Sequence, residues 1–423
     1  MQILRRGSSG PDVKLIQTLL ARIGYNPGPV DGKFGPVTAQ EVVEFQRNNE
    51  LVPDGIVGPA TWNVFDKLLR GYDEYTIRPG DTLNTIAWGY YTSVNSILVA
   101  NPGINPNNLT IGQVITVPYG IEVVFTDIDY TYEIMQRDIL GLKARYPFLE
   151  VGSIGQSVMG KNLYYIRLGR GENRISYNGS HHANEWITTP LLMKFIENFA
   201  AAYATGNSIR GYDIQEIFDS SSIYIVPMLN PDGVNLVLYW PNYTEAAYTE
   251  AAQLNRTNLP LPSVWKANIR GVDLNSNYPA LWEEEKELEI AAGITEPAPR
   301  DYGGPEPLSE PETSALAAFT RNMDFSLVIA YHTQGRVIFY QFENLAPPES
   351  MDYVREFSRA SGYAYSENPE EASYAGYKDW FIQEFRRPGF TMEVGLGRNP
   401  ISISQFNTIY NNNEEIMLLA PLL

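Results

Sequence analysis

The sequence predicts three consecutive folded units: a small three-helix domain, a compact βααβ domain, and a larger α/β domain with a mixed central sheet flanked by helices. Three observations carry that expectation. The chain has 423 residues, well past the roughly 100 to 200 of an ordinary domain. An Asp-Gly-x-x-Gly-Pro turn occurs twice within the first 60 residues. Beyond residue 120, β-rich apolar runs alternate with helical patterns, the signature of layered α/β structure.

Composition narrows the function. With 44% hydrophobic and 12% aromatic residues against 19% charged ones, the chain can bury sizeable cores and is not disordered. Lys and Arg number 31 against 49 Asp and Glu, a net charge of −18 with no basic run, so nucleic acid and anionic membrane surfaces are poor partners. There is no cysteine, which excludes disulfides, thiolate ligands and thiol nucleophiles. Any metal must use His and carboxylates. No apolar stretch of signal-peptide length follows Arg5 and Arg6, and no run of about 18 apolar residues follows later, so neither a classical export signal nor a membrane span is expected.

In residues 1–70, Val13, Leu15, Ile16, Leu19, Leu20 and Ile23 have helical spacing, and Gly24 stands where the helix should stop. A second helix is expected over Val37 to Asn48, with Val42, Val43 and Phe45 on its apolar side. The turns Asp31-Gly32-Lys33-Phe34-Gly35-Pro36 and Asp54-Gly55-Ile56-Val57-Gly58-Pro59 form an internal repeat. In each, Asp-Gly supplies turn geometry and Pro starts the next helix. This segment resembles the three-helix peptidoglycan-binding domain attached to many wall hydrolases; the alternative is a generic helical regulatory or pro-domain. In residues 74–119 a strand at Tyr75-Thr76-Ile77, helices through Ile86-Ala87 and Ile97-Leu98, and a closing strand at Val114 to Pro118 fit a βααβ unit. Its Pro79-Gly80-Asp81-Thr82-Leu83 turn, Asn101-Pro102 and Gly112-Gln113-Val114-Ile115 resemble a LysM domain. That resemblance implies a shallow groove for N-acetylglucosamine polymers, held by hydrogen bonds and apolar contacts and only mildly weakened by salt.

Residues 120–423 hold the chemistry. The chain has three histidines, His181, His182 and His332. His182 and Glu185, three positions apart between an apolar strand and a helix, can present imidazole and carboxylate to one ion. His332 ends the apolar run Leu327 to Ala330, where a strand end can bring it to that pair. Two His and one Glu leave an open position on zinc for water, although cobalt or manganese suit the same donors. His181 faces elsewhere and is read as a supporting or structural residue.

Five motifs then stand in order: His182-Ala183-Asn184-Glu185-Trp186-Ile187-Thr188, Asn230-Pro231-Asp232-Gly233, Gly271-Val272-Asp273-Leu274-Asn275, Tyr331-His332 and Phe390-Thr391-Met392-Glu393. Together they resemble the zinc carboxypeptidase superfamily, of the carboxypeptidase A type. The resemblance implies that His182, Glu185 and His332 bind Zn2+ and that Glu393 is the general base for zinc-bound water. It also implies that Asp273 orients His182, an alternative being a plain turn aspartate. Tyr374 falls near the family's mobile substrate-contacting tyrosine, with Tyr377 in competition.

The departures bear on substrate. The family grips a terminal carboxylate with an Arg between two asparagines, yet Asn275-Ser276-Asn277 stands here. Lys266 occupies the neighbourhood of the arginine that polarises the scissile carbonyl, and Asn184 replaces the Arg before the zinc Glu. Taken over the whole chain, the resemblance is to γ-D-glutamyl-meso-diaminopimelate endopeptidases of spore-forming bacteria. It implies cleavage of peptidoglycan stem peptides by a protein held on glycan strands and associated with wall or spore, reached without a classical signal. Asn275, Ser276, Tyr374 and Lys378 are the implied substrate contacts, Lys378 meeting a substrate carboxylate or being merely an exposed lysine. The competing readings are a carboxypeptidase clamping through Arg270 or Arg336, an inert wall-binding scaffold, and an amidase on small acylated amino acids.

Overall fold

The computed structural model describes residues 2–367 and 374–423. The chain divides into two compact units, Met1–Leu149 and Glu150–Leu423.

The first unit opens with α1 (Pro11–Arg22), α2 (Pro36–Asn48) and α3 (Pro59–Arg70). Each begins with proline, whose missing N–H costs nothing at a helix start. Phe45 and Phe65 stack at 4.2 Å in the core between α2 and α3. The two repeated turns are closed by the same device, a buried glutamine. Gln17 Nε2 donates to Asp31 Oδ1, the Lys33 carbonyl and Thr38 Oγ1 at 3.3, 3.1 and 3.2 Å, and its Oε1 accepts from Gly32 N at 2.9 Å. Gln46 repeats the set with Asp54 Oδ1, the Ile56 carbonyl, Thr61 Oγ1 and Gly55 N at 2.9, 2.9, 3.0 and 2.9 Å. Gly32 and Gly55 have φ of +72° and +70°, and a Cβ at Gly55 would stand 3.1 Å from Val43 Cγ2. Both the conformation and the space therefore favour glycine.

In the βααβ segment, β1 (Tyr72–Thr76) pairs antiparallel with β2 (Val114–Pro118), Tyr72 opposite Pro118. Between them lie α4 (Leu83–Gly89) and α5 (Val94–Ala100). Thr82 caps α4 by accepting from Thr85 N at 3.1 Å, and Thr85 Oγ1 accepts in return from Thr82 N at 3.0 Å. Ile77, Leu83, Ile86, Ile97 and Val117 fill the space beneath. The first unit also contains α6 (Tyr132–Arg145), whose Arg137 pairs with Asp66 of α3 at 3.1 Å.

The second unit is built on one mixed eight-stranded sheet. Its strands are β3 (Glu150–Gln156), β4 (Asn162–Gly169), β5 (Asn173–Gly179), β6 (Ser221–Val226), β7 (Leu327–His332), β8 (Val337–Phe339), β9 (Ala364–Ser366) and β10 (Gly389–Glu393). Their order across the sheet is β3-β4-β6-β5-β7-β10-β8-β9. The stretch β6-β5-β7-β10 is parallel, and β6 and β7 carry the near-continuous apolar runs of strands covered on both faces. Two of the β-rich apolar runs beyond residue 120 fold as β6 and β7. Two of the helical patterns that alternate with them fold as α7 (Thr188–Thr205) and the helix Pro311–Met323. Register sets Glu393 beside His332 and Gly179 beside Tyr331, so the carboxyl ends of β5, β7 and β10 finish together. Among the described residues no helix is long and apolar enough to cross a membrane.

Near the start of the helix Pro311–Met323, the buried Glu312 accepts from Val158 N at 3.1 Å and Asn268 Nδ2 at 3.3 Å. Burial, reinforced by the charges of Asp232 and Glu310, pushes its carboxyl up to about 7. Folding therefore retains a proton on Glu312 that the unfolded chain, with an ordinary value of 4.5, releases. This contribution to stability is complete below the unfolded value and falls as pH rises from there toward 7, by at most about 1.4 kcal/mol per pH unit. Glu312→Gln is expected to flatten that slope, measured by denaturant unfolding of the full chain between pH 4.5 and 8. In the first unit, Gln46→Ala strands the Gly55 N–H, while the Ile56 carbonyl keeps its bond from Gly58 N at 3.0 Å. A loss of about 1–3 kcal/mol is expected there, read as a lowered unfolding midpoint for the first unit.

Candidate metal centre

Three chain segments meet at the carboxyl edge of the parallel strands. After β5 the chain runs through His181 and His182 into a short 3₁₀ turn, Ala183–Glu185, and then α7. That turn places His182 and Glu185 on the side facing the end of β7, where His332 lies. His182 Nδ1 is 2.9 Å from Glu185 Oε1, His332 Nδ1 is 3.0 Å from Glu185 Oε2, and the two Nδ1 atoms are 3.2 Å apart. All three residues are buried.

This donor set fits a metal ion. His182 Nε2 lies 3.1 Å from Asp273 Oδ1, so a neutral His182 donates from Nε2 and keeps its lone pair on Nδ1. That lone pair faces the carboxylate of Glu185 and the second ring nitrogen, an arrangement that is repulsive until a cation sits among them. Two imidazole nitrogens and one carboxylate are the three protein donors of an open zinc site. The electrostatics agree. Burial alone lowers the His182 pKa, but Glu185 and Asp273 outweigh it and raise it to about 9, so a proton is held where a cation is wanted. Glu185 is held well below its ordinary value: burial opposes this, but the two histidines prevail.

The supporting residues are equally specific. Asp273 Oδ1 also accepts from Asn275 N, and its Oδ2 accepts from Asp301 N, both at 3.1 Å. It therefore closes a turn and orients His182 at once. Glu185 is fixed from the far side by Thr333 N at 3.1 Å and Asn399 Nδ2 at 3.1 Å. His181 takes no part in the donor set. It is buried, kept neutral by burial, and bonded through Nε2 to Tyr278 Oη at 3.2 Å.

Glu393, at the end of β10, is half-buried and its carboxylate has no hydrogen-bond partner among the described residues. Burial and the negative charge of Glu185 push it up to about 8. A divalent cation on the adjacent donors would pull that value down toward the working range of a base. Lys266 is pinned next to His182, its carbonyl accepting from Ala183 N at 2.9 Å. Its ammonium has no ion-pair partner among the described residues, and its charge acts on His182, Asp273 and Glu393.

Among the residues implied for substrate, Asn275 Oδ1 accepts from Tyr377 N at 3.1 Å and Ser276 Oγ reaches Glu285 Oε1 at 3.2 Å. Tyr374 adjoins residues 368–373, which lie outside the described residues, and its ring packs edge-on against Phe342. Tyr377, its competitor, is fully buried with its hydroxyl 2.9 Å from Thr320 Oγ1, so it is a core residue. Lys378 is not an exposed lysine: it is 6% exposed, its Nζ 2.6 Å from Asp379 Oδ1 and 2.5 Å from the Gln341 carbonyl. Arg270 turns to Glu310 at 3.6 Å, and Arg336 lies over the Tyr363 ring at 5.5 Å with its buried Nε lacking a hydrogen-bond partner among the described residues.

Sequence reasoning missed Asn399, Thr333, Glu285 and Arg300, whose charge acts on Asp273 and Glu185. None stands in a recognisable spacing. Only Thr333 had a signal, its place directly after His332.

The zinc carboxypeptidase family model matches residues 135–417. A peptidoglycan binding domain matches residues 9–65 and a LysM domain residues 75–118, which associates the chain with the cell wall. The chain is 48% identical over 290 residues to gamma-D-glutamyl-L-diamino acid endopeptidase 1 of Lysinibacillus sphaericus, covering 69% of this chain and 72% of that protein. It is 27% identical over 260 residues to carboxypeptidase B of Homo sapiens, covering 57% and 56%. The crystal structure of thrombin activatable fibrinolysis inhibitor shares the fold with a TM-score of 0.54 at 19% identity, covering 70% of this chain and 76% of that one.

Asp273→Ala frees the His182 ring to rotate and to change tautomer. A fall of about 10- to 100-fold in zinc affinity is expected, measured by competition with a chromogenic chelator, with circular dichroism unchanged.

Proposed function

The chain belongs to the zinc carboxypeptidase family and is a metallopeptidase; on that premise we propose that it hydrolyses the γ-D-glutamyl to diaminopimelate bond inside peptidoglycan stem peptides. The observation that carries the reading is the pairing of an intact His182, Glu185, His332 and Glu393 cluster with Asn275-Ser276-Asn277, where a guanidinium for a terminal carboxylate is replaced by a hydroxyl. Removing that fork withdraws the interaction that ties a carboxypeptidase to chain ends and leaves the hydrolytic groups untouched. The name of the Lysinibacillus sphaericus relative supports the bond chosen. We also divide the chain into wall-binding modules at residues 1–70 and 74–119 and a peptidase at 120–423. The modules hold the enzyme on glycan strands, which raises the local concentration of stem peptides.

His182, Glu185 and His332 hold the metal. When bound, zinc supplies the Lewis acid that polarises the scissile carbonyl and acidifies water. Glu393 takes the proton of the attacking water and passes it to the departing amine of the diamino acid. Lys266 presents its ammonium to the oxygen that gains negative charge, a point charge doing the work of an arginine. Asp273 keeps His182 in the tautomer whose Nδ1 is free.

Purified disaccharide-tetrapeptide, analysed by mass spectrometry, tests the reading. Release of diaminopimelyl-D-alanine is expected from the native protein. Glu393→Ala should lower the rate by at least about 100-fold, and chelation should abolish it until zinc is restored. Release of D-alanine alone would identify a carboxypeptidase, and no product at all a scaffold.

A further inference from the structure

Glu285 is a buried carboxylate without a cation. It lies in the first turn of the helix Trp282–Ala291 and is 8% exposed. Its oxygens are met only by neutral donors, Ser276 Oγ at 3.2 Å and Tyr374 N at 2.9 Å. Nearby cations are committed elsewhere: Lys286 bonds to Glu289 and lies 4.2 Å from the Tyr302 ring centre, and Lys378 pairs with Asp379. Among the described residues no cation pairs with Glu285, and the two neutral hydrogen bonds offset its burial only in part. The other acidic groups acting on it, Glu289 and Asp273, only add to its cost, and burial pushes its carboxyl up to about 7.

The position is as informative as the charge. Glu285 bridges Ser276, which stands where the fork arginine is missing, and the backbone N–H of Tyr374. Ser276 follows Asp273 by three residues, and Asp273 touches His182. Ser276 touches Glu285 and the charge of Asp273 acts on it, so the carboxylate borders the position of the missing guanidinium and carries the opposite sign. A buried carboxylate lacking a partner is costly, and a desolvated ammonium with three donors is its complement.

We infer that Glu285 is a specificity-determining residue whose carboxylate receives the side-chain ammonium of the diamino acid on the leaving side of the cut bond. The inference rests on the substrate reading above, because a diamino acid is the residue that brings a second amine. Neutral Ser276 and the Tyr374 amide hold the carboxylate in place, and the ammonium supplies the charge that the protein omits.

The test uses the full chain loaded with zinc and three γ-D-glutamyl peptides, carrying L-lysine, Nε-acetyl-lysine or norleucine after the cut bond. Native protein is expected to favour lysine over the other two by about 10-fold or more in kcat/KM, a factor of ten corresponding to about 1.4 kcal/mol. In Glu285→Gln that preference should collapse through a raised KM for lysine, the norleucine peptide changing by less than about 2-fold, and Glu285→Asp should recover part of it. Equal losses on all three peptides, or none, would overturn the assignment. A second readout is independent of which bond is cut. Calorimetric binding of L-lysyl-D-alanine should weaken in Glu285→Gln while that of norleucyl-D-alanine does not. Unchanged lysyl binding would overturn the inference even if cleavage is as proposed. A native protein that cleaves no γ-glutamyl peptide but binds lysyl-D-alanine through Glu285 would overturn the bond assignment alone.

Discussion

The structure of the second unit turns on one electrostatic demand: two imidazole nitrogens and a carboxylate are aimed at a single point within 4.8 Å of one another. Such a cluster is unfavourable in the absence of a cation, and it persists because the sheet leaves it no alternative. Parallel pairing of β5, β7 and β10 puts their carboxyl ends in line, and the register fixes Glu393 against His332. Asp273, Thr333 and Asn399 then lock the ring and carboxylate orientations from outside. The backbone ladder supplies the precision, and the side chains supply the charge.

Much of this was legible in the sequence because it is written in local patterns. Proline after an Asp-Gly turn marks a helix start wherever it occurs, and the repeat at Asp31 and Asp54 announced itself twice. The five ordered motifs single out His182, Glu185, His332, Asp273 and Glu393, which the fold brings to one sheet edge. The rest depends on contacts between residues far apart in the chain, which spacing does not encode. Glu285 reads as one acid in the run Glu283-Glu284-Glu285, a solvated helix face by pattern, yet the structure buries the third of the three. Lys378 shows the same limit in reverse, since a lysine two residues before a tryptophan gives no sign that its ammonium is turned inward to Asp379. Short elements such as β8 and β9, three residues each, are strands only because longer neighbours provide their hydrogen-bond partners.

The glutamines of the first unit illustrate how a polar residue can define a core position. Gln17 and Gln46 sit at equivalent places in the two halves of the repeat, and each satisfies a turn whose backbone groups would otherwise be buried without partners. An apolar side chain of the same volume would fill the space and leave those groups unpaired. The glutamine is therefore dictated by the turn, and the turn by the angle at which the next helix must leave.

The antiparallel pairing of β1 and β2 sets Tyr72 opposite Pro118, and Tyr119 N bonds to the Gly71 carbonyl at 2.8 Å. The chain thus enters and leaves the βααβ segment through the same doorway. Tension applied to the two ends of that segment therefore loads the Tyr72–Pro118 rung first and opens the ladder one rung at a time instead of shearing all rungs together.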